Sequence, residues 1–404
     1  MATGHALLGK RTQLVTMLIA VLPTAACLDD YAEPRDPAPR APQLGAAFVD
    51  ARGWRWEQQR QVTKFAAAEP ELQHDGEDPS PTRRWQDLPD ELAAKRLRPI
   101  TLTPDNYEYA LDEAQTLEFV QQLRELGPLV PRSTPMATPE AQPALSERSA
   151  RVLSEDRVPR QTFGEDGRVN MNGAADQAPW VFIGAMSRAG QCTAFKLLNK
   201  HTAISAAHCV HDGKEWSRRK AVQFSAGASS PRPAISEDCY SITVAGGWAG
   251  EDPEFDYAVI RLREDGLERG AACDPAAYDV GHFGYELIDE CVADVELNLA
   301  GYPSIRDPDN PAPVGDWAYP SLFTDYRTDG WTACAGLYPS ALWFYNDGSN
   351  GQSGSPVWTF HQETAQNQVR AIYRGSMTTI VGDSNRGRRF DESLIAWMTL
   401  NAGY

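Results

Sequence analysis

Two regimes of hydrophobic patterning meet near residue 160. Before it, one stretch has helical spacing. Leu111, Ala114, Leu117, Val120, Leu123 and Leu126 recur every three or four positions among charged residues, and Gly127-Pro128 ends the pattern. After it, short apolar runs alternate with clusters of Gly, Pro and Asp. Residues 180–186, 193–198, 202–205, 241–244, 257–262, 295–300, 342–345, 356–360 and 369–373 read as strands. Many short strands with such punctuation predict an all-β barrel or sandwich. The last run, 391–400 with Leu394, Ile395, Trp397 and Met398, predicts a closing helix.

The first 26 residues predict an export signal. His5, Lys10 and Arg11 form a positive start, Leu14 to Leu22 is apolar, and Thr24-Ala25-Ala26 supplies small residues before a cut. That run is shorter than the roughly 20 apolar residues a spanning helix needs. Cys27 then stands where a bacterial lipoprotein carries its lipidated cysteine. Thr24, however, occupies a place where such sites usually have Leu. Ordinary cleavage and a membrane tether through Cys27 both stay open. Between Cys27 and Arg160 lie 16 of the 29 prolines, a composition that predicts extended linkers rather than a continuous sheet. Trp54, Trp56 and Trp85 hint at a small packed element within it. A partly helical tail and a silencing propeptide are both compatible with this region.

Composition narrows the partners. The net charge of -17 argues against nucleic-acid binding, which needs Lys and Arg in excess. With Cys27 set aside, six cysteines remain: Cys192, Cys209, Cys239, Cys273, Cys291 and Cys334. An even number in an exported chain predicts up to three disulfides. Their wide spacing, with no CxxC pair, argues against zinc, and the absence of HExxH argues against a metal hydrolase. No cofactor and no metal are expected from any motif, and calcium has no ligand set to name.

Three segments carry chemistry. Asn350-Gly351-Gln352-Ser353-Gly354-Ser355-Pro356 places a serine between glycines, which permit a tight turn and close approach of a substrate carbonyl. In such a turn the amides of Gly351 and Ser353 converge on one oxygen. Ile204-Ser205-Ala206-Ala207-His208-Cys209 sets a histidine behind small residues, and Cys209 can anchor that turn by pairing with Cys192. Phe255-Asp256-Tyr257 opens an apolar strand, where an aspartate is held half-buried. Each alone has an ordinary structural reading. Together they offer a nucleophile, a base, and a carboxylate that fixes the base's tautomer. The order His208, Asp256, Ser353, with steps of 48 and 97 positions, is that of the chymotrypsin-type double β-barrel.

From about Gln161 to the C-terminus the chain also resembles the bacterial glutamyl endopeptidases of that superfamily. The resemblance rests on Phe163-Gly164-Glu165-Asp166-Gly167-Arg168, Gln191-Cys192-Thr193, Gly247-Trp248 and Val280-Gly281-His282-Phe283-Gly284-Tyr285. It continues through Gly301-Tyr302-Pro303, Gly351–Pro356 and Asn385-Arg386-Gly387. It implies a chymotrypsin-like double β-barrel with a C-terminal helix, preceded by a Pro-rich, partly helical propeptide. The resemblance does not cover residues 1–160; with the export signal over 1–26, the expected organisation is a propeptide or linker region over 27–160 and a protease domain over 161–404. The implied product is a secreted bacterial serine endopeptidase, a monomer made as a zymogen and acting on protein or peptide substrates. Val158-Pro159-Arg160 predicts the activating cut after Arg160.

Specificity departs from the resemblance. Glutamate-selective members have a histidine on the strand after the nucleophile and a small hydroxyl residue five before it. Here Tyr373 and Gly348 stand in those places. Arg374 could instead offer a guanidinium to an acidic side chain, or point to solvent. Asp347, six before Ser353, stands where trypsin-like enzymes bind Arg or Lys. Acidic and basic preferences before the cut both remain, as does a catalytically silent binding module on the same fold. With His208 as base, activity should rise through a pKa of roughly 6 to 7.

Overall fold

The computed structural model describes residues 47–65, 85–137, 151–152, 167–187, 192–217, 221–228, 232–249, 252–262, 273, 277, 279–288, 295–303, 322–332, 340–349, 351–379 and 382–403. All lie in one compact unit that begins at Leu44. The signal segment, Cys27, the predicted cut after Arg160, Cys291 and Cys334 fall outside the described residues.

The chain first forms β1 (Phe48–Val49), β2 (Arg55–Gln61), α1 (Asp90–Leu97), β3 (Pro99–Leu102), β4 (Tyr107–Leu111) and α2 (Glu113–Leu126). Helix α2 is the one the spacing predicts. Asp112 caps it by accepting from the amides of Ala114 and Gln115. Its buried face, Phe119, Val120 and Leu123, meets Trp54, whose ring stands edge-on to Phe119 at 5.0 Å.

Two short strands follow, β5 (Arg151–Val152) and β6 (Val169–Asn170). Then come β7 (Ile183–Ser187), β8 (Cys192–Lys196), β9 (Thr202–Ser205), β10 (Ala221–Phe224), β11 (Tyr240–Ala245), the short helix α3 (Gly246–Ala249) and β12 (Ala258–Leu262). These strands run antiparallel in the order β10-β7-β8-β9-β12-β11. Every residue of β8 and β9 is buried, including the polar Thr193, Lys196, Thr202 and Ser205, so both faces of these strands lie inside the fold.

The second half holds β13 (Gly284–Tyr285), β14 (Val295–Gly301), β15 (Phe323–Thr332), β16 (Ala341–Phe344), β17 (Pro356–His361), β18 (Gln366–Thr379), β19 (Gly382–Arg389) and α4 (Glu392–Ala402). The order β14-β17-β18-β19-β16-β15 returns to β14 through the β14–β15 pairing, so six antiparallel strands close a barrel. Helix α4 is the predicted closing helix, capped by Asp391 at its start and by Gly403 at φ 78°. This is the expected double β-barrel with its C-terminal helix.

The expectation of linkers before residue 160 does not hold for 47–65 and 85–137. Strand β3 pairs with the outer edge of β11, from Leu102↔Ile242 to Pro99↔Ala245. Strands β4, β2 and β1 follow outward, giving a ten-stranded sheet rather than a six-stranded one. The prolines here sit at element ends: Pro89 before α1, Pro99 opening β3, Pro128 just after α2. A missing N–H costs little at such positions, so proline content was a poor guide. Trp85, Leu97, Leu102 and Phe119 share one core with the first barrel and α4. The Trp397 indole donates to the Leu97 carbonyl at 3.0 Å, and the Trp216 indole donates to Glu108 at 2.6 Å.

Candidate active site

Strand β9 delivers the histidine. Ala206 and Ala207 are fully buried, and only side chains this small let a tight turn over Ala207–Cys209 lie against the barrel. The turn is tied down by the Cys192–Cys209 disulfide, the pairing expected from the sequence, with Cα atoms 6.0 Å apart. A second bridge joins Cys239 to Cys273. Trp248 of α3 covers the site. Its indole donates to the His211 carbonyl at 2.7 Å, and its ring lies 6.4 Å from that of His208.

Asp256 follows a short turn over Pro253–Phe255 and immediately precedes β12. Both of its oxygens serve His208. Oδ2 lies 2.8 Å from Nδ1, and Oδ1 accepts from the His208 amide at 2.9 Å. A carboxylate oxygen only accepts, so Nδ1 is the ring nitrogen that donates to Asp256, and Nε2 is the one turned to other partners. Burial alone would push the Asp256 carboxyl up. The charges of His208 and Arg374, with the hydrogen bonds His208 makes, outweigh that and hold it well below the usual carboxylate range.

Ser353 sits in a loop held at many points. Its carbonyl accepts from the Thr193 amide at 2.8 Å, and the Cys209 sulfur lies 3.6 Å from the same oxygen. The Ser353 loop is thereby set beside the histidine turn. Gly351 and Gly354 take φ of 91° and 82°, which glycine tolerates and other residues rarely adopt. A Cβ on Gly354 would run into the Thr193 carbonyl and the Ser205 hydroxyl. The amides of Gln352, Gly354 and Ser355 are bonded to Ser349, Tyr373 and Gln352 carbonyls. Among the described residues, the amides of Gly351 and Ser353 have no acceptor within the protein. Ser353 is partly exposed while its neighbours Gln352 and Gly354 are buried.

The residues expected to read the substrate are placed differently from one another. The Asp347 carboxylate is buried and accepts from the Gly167 amide at 2.7 Å. Gly348 leaves room for Tyr373, whose hydroxyl would collide with any Cβ there. Tyr373 itself is fully buried in the core of the second barrel, its hydroxyl donating to Asn385 at 3.1 Å. Arg374 lies on Asp256, with Nε 3.1 Å from Oδ2. The structure thus brings His208, Asp256, Arg374 and the Ser353 loop together, and turns the Tyr373 side chain away into the barrel core while its backbone stays bonded to Gly354 and Ser355.

Sequence reasoning passed over Thr193 and Arg168 as working residues. The Thr193 hydroxyl donates to the Gly351 carbonyl at 3.1 Å, and Arg168 Nη1 donates to Ser349 Oγ at 2.8 Å. Thr193 sits beside Cys192 in a recognisable motif, but nothing in that motif says which side chain straps the loop. Ligand atoms of Cys192, His208 and Cys209 lie within 4.8 Å of one another. The two sulfurs are bonded to each other and are not thiolates, so the trio does not fit a metal ion.

No protein-family model and no curated protein matches the chain. Among solved structures it is similar to a Glu endopeptidase in complex with MPD at 16% identity and TM-score 0.41, covering 60% of this chain and all of the other. It is similar to the protease Anisep from Arthrobacter nicotinovorans at 12% identity and TM-score 0.37, covering 56% and 98%. A thermostable serine protease from an extremophilic microorganism aligns at 16% identity and TM-score 0.36, covering 55% and 98%.

Proposed function

We propose that the chain is a secreted serine endopeptidase that cleaves peptide bonds through an acyl-enzyme on Ser353. The observation that carries this reading is the two-point grip of Asp256 on His208, set beside a serine loop with two unoccupied amides. Nε2 of His208 removes the Ser353 hydroxyl proton as Oγ attacks the substrate carbonyl. The amides of Gly351 and Ser353 receive the oxyanion. The imidazolium then protonates the leaving amine, and water repeats the sequence on the acyl-enzyme. Export, a zymogen and a cut after Arg160 belong to the same proposal. No helix among the described residues is long and apolar enough to cross a membrane.

Of the two charged preferences, an acidic residue before the cut is favoured over a basic one. Asp347 is buried, with its Oδ2 already accepting from the Gly167 amide, and Arg168 places a buried guanidinium on Ser349 in the same loop. Cleavage of a mixed peptide library by the processed protein tests this, and a preference for Arg or Lys would overturn it. A fluorophosphonate probe tests the chemistry. Wild type should be labelled and Ser353→Ala should not, with turnover falling by roughly 10⁴-fold or more. An unlabelled wild type would favour a silent binding module.

A further inference from the structure

Asp256 has a third partner that the steps above leave without a task. Arg374 Nε donates to Oδ2, the same oxygen that faces His208 Nδ1. The Arg374 side chain is 6% exposed, and its Nη2 is buried with no acceptor among the described residues. A guanidinium taken out of water with one donor unmatched is a poor device for stability. Its position is also built rather than incidental. The pairing of β18 with β19 slips in register between Tyr373 and Gly375, and Gly375 takes φ 135°. A Cβ on Gly375 would meet nothing within 4 Å, so glycine is needed there for its backbone and not for room. Such a bulge re-aims a side chain that a regular strand would point elsewhere. The residue before it, Tyr373, exchanges backbone hydrogen bonds with Gly354 and Ser355. One stretch of β18 therefore clamps the Ser353 loop and presents Arg374 to Asp256.

We propose that Arg374 is a positioning and charge-balancing residue for the Asp256–His208 pair. Its Nε fixes the carboxylate in the orientation that serves His208, and its charge offsets part of the negative field acting on the imidazole ring. This rests on the endopeptidase reading above. The consequence is a base that keeps its lone pair to lower pH than it would beside an aspartate with a neutral partner. The charges acting on Asp256 are those of His208 and Arg374. The next carboxylate along, Glu254, answers to Arg388, Asp252, Asp391 and Arg96. Trp248, on the helix facing His208, adds no charge.

The test compares Arg374→Lys, Arg374→Gln and Arg374→Ser in the full processed chain, with active sites counted by fluorophosphonate titration and folding checked by thermal melts. In the Gln and Ser variants the acid limb of the kcat/KM profile should move up by about one pH unit, so that the rate on the acid side falls about tenfold. Lys, which keeps the charge, should leave the limb near its wild-type place. Equal losses in all three with an unmoved limb would make Arg374 merely structural and overturn the proposal. A rise in KM confined to acidic substrates, again with an unmoved limb, would place it in the pocket and overturn the proposal too. The low-field proton NMR signal of His208 Nδ1–H gives a readout that does not need turnover. The pH at which it shifts should rise in Gln and Ser but not in Lys, and an unchanged midpoint counts against the proposal. A wild type that takes no probe sinks the endopeptidase reading instead, while this signal still reports on Arg374.

Discussion

Thr193 holds the Ser353 loop at two points. Its amide donates to the Ser353 carbonyl at 2.8 Å and its hydroxyl donates to the Gly351 carbonyl at 3.1 Å. The same hydroxyl accepts from the Tyr302 amide at 3.0 Å, so one buried oxygen joins the loop to the entry of the second barrel. The peptide planes beside the Gly351 and Ser353 amides, which have no acceptor among the described residues, are fixed by a fully buried residue.

Thr193→Val keeps the shape and removes that oxygen. It strands a buried donor and a buried acceptor, which should cost about 2–3 kcal/mol of stability. The amides of Gly351 and Ser353, the oxyanion donors proposed above, lose their strap, so kcat should fall about tenfold with a smaller change in KM. Thr193→Ser should retain most of both. Urea unfolding and single-turnover acylation check this, and a valine variant with wild-type kcat would contradict it.

Gly354→Ala meets two obstacles at once, the backbone angle and the crowding by Thr193 and Ser205. The expected loss exceeds about 2 kcal/mol, accompanied by loss of fluorophosphonate labelling. A labelled, stable alanine variant would show that the loop relaxes freely.

Glu254 titrates far from its usual range. Burial pushes its carboxyl up to about 7, with Arg388 partly offsetting, and one of its oxygens has no partner among the described residues. The folded state therefore binds this proton where the unfolded chain has released it. Stability falls as pH rises between about 4.5 and about 7, by up to about 3 kcal/mol. His211, lowered by burial to about 4, acts in the opposite direction and loses stability as pH falls from 6.5. The measurable quantity is the difference between wild type and Glu254→Gln. The Gln variant should gain on wild type across that window, and a constant gap in urea titrations would refute the assignment.

The N-terminal strands and helices share a core with the first barrel, and this makes a prediction about processing. After a cut at Arg160 the fragment bearing β1–β4, α1 and α2 should stay attached under native conditions. Gel filtration should give one peak and a denaturing gel two bands. Phe119→Ala should cost about 3–5 kcal/mol and shift a single unfolding transition. Two separate transitions, or release of the fragment on cutting, would contradict the shared core.

Much of the site was legible because its chemistry is local. His208 and Ser353 each stand in a short segment whose small or glycine neighbours announce a turn, and Asp256 stands at the head of an apolar strand. Strands β9, β12 and β17 were legible from their short apolar runs, most of whose residues are buried. Strand β19, by contrast, reads Gly-Asp-Ser-Asn-Arg-Gly-Arg-Arg, and its buried arginines carry no hydrophobic alternation. Arg388 is accommodated there because Asp391 and the carbonyls of Glu254 and Arg389 receive its donors. Strand β2 has one apolar residue, Trp56, in seven, and owes its form to β4 beside it. The place of Arg374 was hidden for a related reason: the slip at Gly375 that turns it toward Asp256 is a property of strand pairing, and single-sequence patterns do not record register.

Strand β3 has a consequence for making the protein. An unpaired strand edge is a template on which other chains assemble. In the intact chain the exposed flank of β11 is covered by a strand encoded more than 130 positions earlier. A recombinant product started at Gln161 would carry the whole nucleophilic apparatus and yet bare that flank, together with the apolar floor beneath α1 and α2. Such a product should accumulate as aggregate, and supplying residues 44–137 as a separate polypeptide during refolding should recover it. The region before the cut would then work as a built-in chaperone that never leaves.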